Sequence, residues 1–131
     1  MGKNLMYLID TNIIIYFLND NLPAGSYPKM NNIFSESFNI SVITKMEVLG
    51  FTEHTELSYK KAKRFIDNAN ILEINDEIVE KVINIKRKKK VRLPDAIIAA
   101  CAVNNNLTLI TRNVDDFKGL GLKIFNPFET F

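Results

Sequence analysis

The sequence predicts an α/β sandwich around a central, mainly parallel sheet of four to five strands. Three observations predict it. Short apolar runs recur at 5–9 (LMYLI), 39–43 (NISVI), 71–74, 107–110 and 123–125, and the first has no polar alternation, as in strands covered on both faces. The segments between them carry apolar residues at helical spacing. Strands and helices therefore alternate along the chain, the pattern of parallel strands joined by crossover helices.

Taken in order, the strand at 5–9 leads into a short helix, 11–18, which ends at Asn19-Asp20-Asn21 before Pro23 and Gly25. Pro28 suits the first turn of a second helix reaching about Phe38. After the strand at 39–43, Thr44 followed by Glu47 has the spacing of a capping box and predicts a helix start. Glu56 to Asn68 sets Leu57, Ala62, Phe65 and Ile66 among basic residues, an amphipathic helix. Ile71, Leu72 and Ile74 form the third strand. Asp76 is expected to cap the next helix, in which Ile78, Val79, Val82, Ile83 and Ile85 keep helical spacing. Pro94 opens a small-residue helix over 95–104, closed by three asparagines. The fourth strand, 107–110, runs into a polar loop, 111–116, and 123–125 supplies a last strand.

Length and composition bound the function. At 131 residues the chain fits one compact domain. With 47% hydrophobic and 24% charged residues it is ordinary globular protein, neither disordered nor fibrous. No run approaches the ~18 apolar residues of a membrane span, and the apolar stretch before Asp10 reads as a strand rather than a signal peptide. The single cysteine, Cys101, lies in the apolar run AIIAACAV, so a cytosolic protein with a buried thiol is expected. His54, the one histidine, lies in a polar stretch, and no Cys/His nucleophile assembles.

Asp10 directly follows the first strand, Glu47 comes shortly after the second, and Asp116 lies in the loop after the fourth. Asp95 opens the helix PDAIIAACA. In parallel α/β folds ligand sites lie beyond the carboxyl ends of the strands, so these four acids are expected to converge there. Each has a plain structural use: Asp10 as a cap, Glu47 in its capping box, Asp95 at a helix dipole, Asp116 in a turn. Capping does not explain why four acids share one rim. Two carboxylates 4 Å apart repel by about 4 kcal/mol at an effective dielectric near 20, so the set requires protons or a cation. Oxygen donors without His or Cys favour Mg²⁺ or Mn²⁺, ions suited to phosphodiester hydrolysis.

The segments LIDTNIII (8–15), SVITKMEVLGF (41–51), RLPDAIIAACAV (92–103), LTLITRNVDDF (107–117) and LKIFNPF (122–128) together resemble PIN-domain proteins, and within them the VapC toxins of bacterial and archaeal toxin–antitoxin pairs. The resemblance implies a metal-dependent endoribonuclease acting on RNA, held inactive by a VapB-like antitoxin and assembled as a homodimer. It implies that Asp10, Glu47 and Asp95 are three metal-site acids. Asn113 stands where many members carry the fourth, and the acid before the Phe, Asp116, takes that role, with Asp115 as the weaker candidate. Thr11 and Asn12 match polar residues beside the first acid, expected to orient carboxylate or water. Thr111 and Arg112 belong to the same rim, where a guanidinium suits a phosphate or an acid.

Net charge is only +2, but Lys86, Arg87, Lys88, Lys89, Lys90 and Arg92 place six cations in seven residues. As a solvated helix end they would complement the dipole. Because the run leads into Asp95, an RNA-backbone role is expected for Lys86, Arg87, Lys89, Lys90 and Arg92. Tyr16, Phe17, Phe34 and Phe38 are expected to serve the core or an interface rather than base stacking. The antitoxin is expected near the helices within 11–38 and 45–69. The alternative is a catalytically silent PIN-like module that binds RNA or protein. A receiver-like phospho-acceptor domain ranks below it, because Lys123 precedes Ile124 and Phe125 instead of closing the last strand.

Overall fold

A computed structural model describes residues 6–129. The elements follow as β1 (Tyr7–Ile9), α1 (Thr11–Leu18), a 3₁₀ turn (Ala24–Ser26), α2 (Tyr27–Glu36), β2 (Asn39–Ser41), α3 (Val42–Leu49), α4 (Glu56–Ile66), β3 (Asn70–Leu72), α5 (Asp76–Lys88), α6 (Leu93–Asn104), β4 (Thr108–Ile110), α7 (Val114–Phe117) and β5 (Lys123–Phe125). The expected order of elements holds throughout. Leu5, the start of the first expected strand, lies outside the described residues.

All strand pairs are parallel, but they form two ladders rather than one. β1, β4 and β5 make a three-stranded sheet with β4 in the middle, and β2 pairs with β3. Side chains bridge the ladders. The Ser37 hydroxyl accepts from the backbone N–H of Met6 and of Tyr7, each at 3.1 Å, and the Asn39 amide donates to the Tyr7 carbonyl at 2.8 Å. Asn70 donates in turn to the Asn39 carbonyl oxygen at 2.9 Å. Polar side chains thus satisfy β1 backbone groups that would otherwise be buried without partners.

Both faces of the sheet are covered. Leu8 and Leu109 enter a core with Ile78, Val82 and the α6 residues Ala96 to Ala102, whereas their neighbours Ile9 and Ile110 enter a second core with Ile13, Ile14, Met30 and Ile66. Successive strand residues point to opposite faces, so this division makes a helix–sheet–helix sandwich. In α6, Asp95 through Ala102 are all buried, because alanines let the helix lie close to the strands. The Phe17 and Phe34 rings lie 4.4 Å apart, tilted by 44°, and Phe38 and Phe65 join them at 4.8 Å from each other. These aromatics serve the second core, as expected.

Several boundaries differ from the sequence reading by one to three residues, and at two helix starts the reason is a better cap nearby. β2 ends at Ser41, whose hydroxyl accepts from Ile43 N–H and caps α3, so Thr44 lies inside the helix and no Thr44–Glu47 capping box forms. Asn75, not Asp76, caps α5 through a bond from Ile78 N–H at 2.9 Å. Ile74 falls beyond β3 and is exposed. The loop at 111–116 also contains the single helical turn α7.

Replacing Asn39 by Leu should cost about 2 kcal/mol in urea unfolding, because the Tyr7 carbonyl loses its partner in a buried setting. A value within experimental error of the parent chain would show that other bonds hold the two ladders together.

Candidate active site

The carboxyl ends of β1 and β4 stand in register, Ile9 beside Ile110, so the next residues, Asp10 and Thr111, meet at one rim. Asp10 is only 5% exposed. Its Oδ1 accepts from Thr11 N–H at 2.8 Å, capping α1, and its Oδ2 accepts from the Thr111 hydroxyl at 2.7 Å. Capping and clustering are therefore not rival uses of Asp10, since one oxygen caps the helix and the other faces β4.

Glu47 reaches the rim from the second turn of α3. Its Oε1 accepts from the Thr11 hydroxyl at 2.6 Å, and the Thr44 hydroxyl lies 3.0 Å from that of Thr11. Thr11 has one hydroxyl proton and commits it to the carboxylate, so Thr44 donates to Thr11. Thr44 is fully buried and sits three residues before Glu47 on α3, where the two side chains share a helix face. Sequence reading took that spacing for a cap. It is instead the signal of a hydroxyl pair that orients Glu47.

Asp95 lies in the first turn of α6, 7% exposed, with Arg92 Nε at 3.4 Å from its Oδ2. Asp10 senses the charges of the other two. Burial pushes the Asp10 carboxyl up to about 6, the charges of Asp95 and Glu47 push it the same way, and the bonds from Thr111 and Thr11 oppose them. Among the described residues neither Asp10 nor Glu47 has an ion-pair partner.

Asp116 is not brought into this group. It is exposed in α7, and the charges acting on Asp10 are those of Asp95 and Glu47. Asp115 pairs instead with Lys118 at 3.1 Å. Asn113 is exposed and donates its backbone N–H to the Thr111 hydroxyl at 3.0 Å, and Asn12 is exposed on α1. The donor set at the rim is all oxygen, which fits Mg²⁺ or Mn²⁺. Among the described residues, however, no three acids, histidines or cysteines stand close enough to hold an ion as placed.

The basic run divides. Lys86 donates to the Val91 carbonyl at 2.6 Å, closing the connection into α6, and Lys89 donates to the carbonyls of Asp115 and Lys118 at 2.9 and 2.7 Å. These two cations hold backbone rather than standing free for a polyanion. Arg87, Lys90 and Arg92 are exposed. Among the described residues Arg112 pairs with no acid: it packs on the rings of Tyr16 and Phe128, a contact with no local signal in sequence.

A parallel sheet between helix layers, with Asp10 at a strand end and Glu47 and Asp95 brought toward it by α3 and α6, is the architecture of a PIN domain. The PIN domain family profile matches residues 7–121, and the chain belongs to this family. Among solved structures, it is similar to a chain of a toxin–antitoxin complex from Klebsiella pneumoniae, with 31% identity, TM-score 0.77, and 94% of this chain and 98% of that chain covered. It is likewise similar to a chain of VapBC-1 from nontypeable Haemophilus influenzae, at 25% identity and TM-score 0.77, covering 94% of this chain and 98% of that one. FitAcB from Neisseria gonorrhoeae shares the fold, with TM-score 0.78 at 22% identity over 95% and 99% of the two chains. Comparison with curated protein sequences finds no match.

The Asp10 shift sets a pH dependence. Its folded value, about 6, lies above the ordinary 3.8, so the folded state holds the proton more tightly and stability falls as pH rises through about 6. Without divalent ions, unfolding free energy should therefore be greater at pH 5 than at pH 7, by on the order of 1–2 kcal/mol. Asp10→Asn should flatten that dependence, as read by urea titration at the two pH values.

Proposed function

We propose that this chain is a metal-dependent endoribonuclease, the toxin of a VapBC-type pair. The observation that carries the proposal is Asp10, buried at a strand end with Glu47 and Asp95 acting on it and, among the described residues, no cation paired to it. Structural relatives that are chains of toxin–antitoxin complexes support the toxin assignment.

In this reading Asp10, Glu47 and Asp95 would hold Mg²⁺ or Mn²⁺. When bound, such an ion would lower the pKa of a water and offset charge on the leaving oxygen of an RNA phosphodiester. The chain's own part is to aim the oxygens. Thr111 and the Thr11 backbone N–H fix both oxygens of Asp10, while the Thr44–Thr11 pair fixes Glu47. Hydroxyls of this kind set carboxylate orientation in metal sites. Asp116 is the fourth acid of the proposal. Because it faces solvent one turn beyond Asn113, its removal is expected to cost less than that of the trio.

The antitoxin partner is assigned to the cleft among α1, α3 and α4, about 350 Å³, with Ile15, Leu18, Val48, Phe51 and His54 along its walls. Its apolar lining and Phe51, 45% exposed, suit an apolar segment of a VapB-like chain. A homodimer in the cytoplasm completes the reading. No described helix is long and apolar enough to cross a membrane.

The exposed Asp116 favours a second reading, a silent PIN module that binds RNA or protein without cutting it. Asp10→Ala and Asp95→Ala decide between the two. Metal ions contribute several kcal/mol of charge stabilisation, at about 1.4 per decade of rate. Each variant should therefore cut RNA at least about a hundredfold more slowly in Mg²⁺ and relieve growth inhibition. RNA cleavage and toxicity that persist unchanged in both variants would sink the nuclease reading.

A further inference from the structure

We infer that Arg112 is an anchor for a phosphodiester of the RNA, seated by Phe128 and Tyr16. The inference rests on the nuclease reading and names a contact to its substrate. The Arg112 guanidinium lies 4.2 Å from the Phe128 ring centroid and 5.5 Å from that of Tyr16, and its Nη1 donates to the Tyr16 hydroxyl at 3.2 Å. The two rings meet edge to face at 5.0 Å, forming one seat.

A ring holds a guanidinium through its face and leaves the in-plane donors at its edge. Arg has five N–H donors, and the Tyr16 hydroxyl takes one. Arg92, by contrast, faces Asp95, and Lys86 and Lys89 are bound to backbone carbonyls. Among the described residues Arg112 makes no ion pair, although it directly follows Thr111, whose hydroxyl holds Asp10. It is thus an exposed cation with an uncommitted edge, on the segment that leaves the rim at Thr111, and it supplies positive charge for a polyanion that the acids would repel.

The seat is built into the fold. Phe128 returns to the rim after β5 because the Asn126 side chain accepts from Phe128 N–H at 2.9 Å, an Asx turn whose Asn is itself buried. Holding a planar fork in advance reduces the ordering cost of binding a phosphate in bidentate fashion. A lysine offers neither the plane nor the fork.

The test measures binding of a short fluorescein-labelled single-stranded RNA of mixed sequence to the full chain in EDTA, across a range of salt. R112Q should bind about tenfold more weakly, with the slope of log K against log salt shallower by roughly 0.7, the value for one phosphate. R112K should not recover wild-type affinity, and F128L, which keeps the charge, should fall between R112Q and wild type. R112Q at wild-type affinity and slope would overturn the inference. So would an R112Q chain that loses poly-L-glutamate and keeps RNA, since the seat would then serve a protein carboxylate. A wild-type chain that binds RNA through Arg112 but does not cut it in Mg²⁺ supports the anchor and overturns the nuclease reading alone. No RNA binding by wild type overturns both.

Discussion

A carboxylate buried beside two others is the constraint around which this rim is arranged. Asp10 is nearly shielded from water, and both burial and the charges of Asp95 and Glu47 oppose its ionised form. Among the described residues two groups work the other way, the Thr111 hydroxyl and the Thr11 backbone N–H. They come from the residue after β4 and the first residue of α1, so the bonds that hold the charge also tie the ends of β1 and β4 to the start of α1. The electrostatic cost of the site and the stability of the strand ends are therefore coupled, as in sites where function opposes folding.

The sheet serves that arrangement. β4 lies between β1 and β5, which places Asp10 and Thr111 side by side, while β2 delivers α3 and with it Glu47 from the other ladder. The relative position of Asp10 and Glu47 consequently depends on the junction of the two ladders. Among the described residues, side chains cross that junction: Ser37 and Asn39 bond the Met6 and Tyr7 backbone, and Asn70 holds Asn39 from within its own ladder, all polar residues that burial alone would disfavour. Thr11 adds a second link across the same junction by bonding Glu47 directly.

Much of this was legible beforehand, and the reasons are specific. Apolar runs at strand spacing and Pro94 before an alanine-rich helix gave the order of elements, because both-face burial leaves a one-dimensional pattern. Asp10, Glu47 and Asp95 were readable as one group from their places after strands or at a helix start. Other features were not legible. Thr44 and Glu47 had the spacing of a cap, and only the hydroxyl of Ser41, closer to the strand end, took that role away. Lys86 and Lys89 read as RNA-facing cations, yet Lys86 binds the Val91 carbonyl in its own turn and Lys89 binds carbonyls of the distant segment 115–118. Asp116 read as a member of the group, and α7 turned it to solvent.

By itself, then, the sequence determined the layered α/β architecture, the places of Asp10, Glu47 and Asp95 after strands or at a helix start, and the family pattern. Those depend on local periodicity and on where residues fall relative to strand ends. Tertiary structure decided that Thr111 holds Asp10 and Thr11 holds Glu47, where the ladder breaks, and that Arg112 rests on Tyr16 and Phe128. The bonds to the two acids and the seat of Arg112 are contacts between segments far apart in the chain, made by short-range forces that act only once the fold has brought the partners within reach.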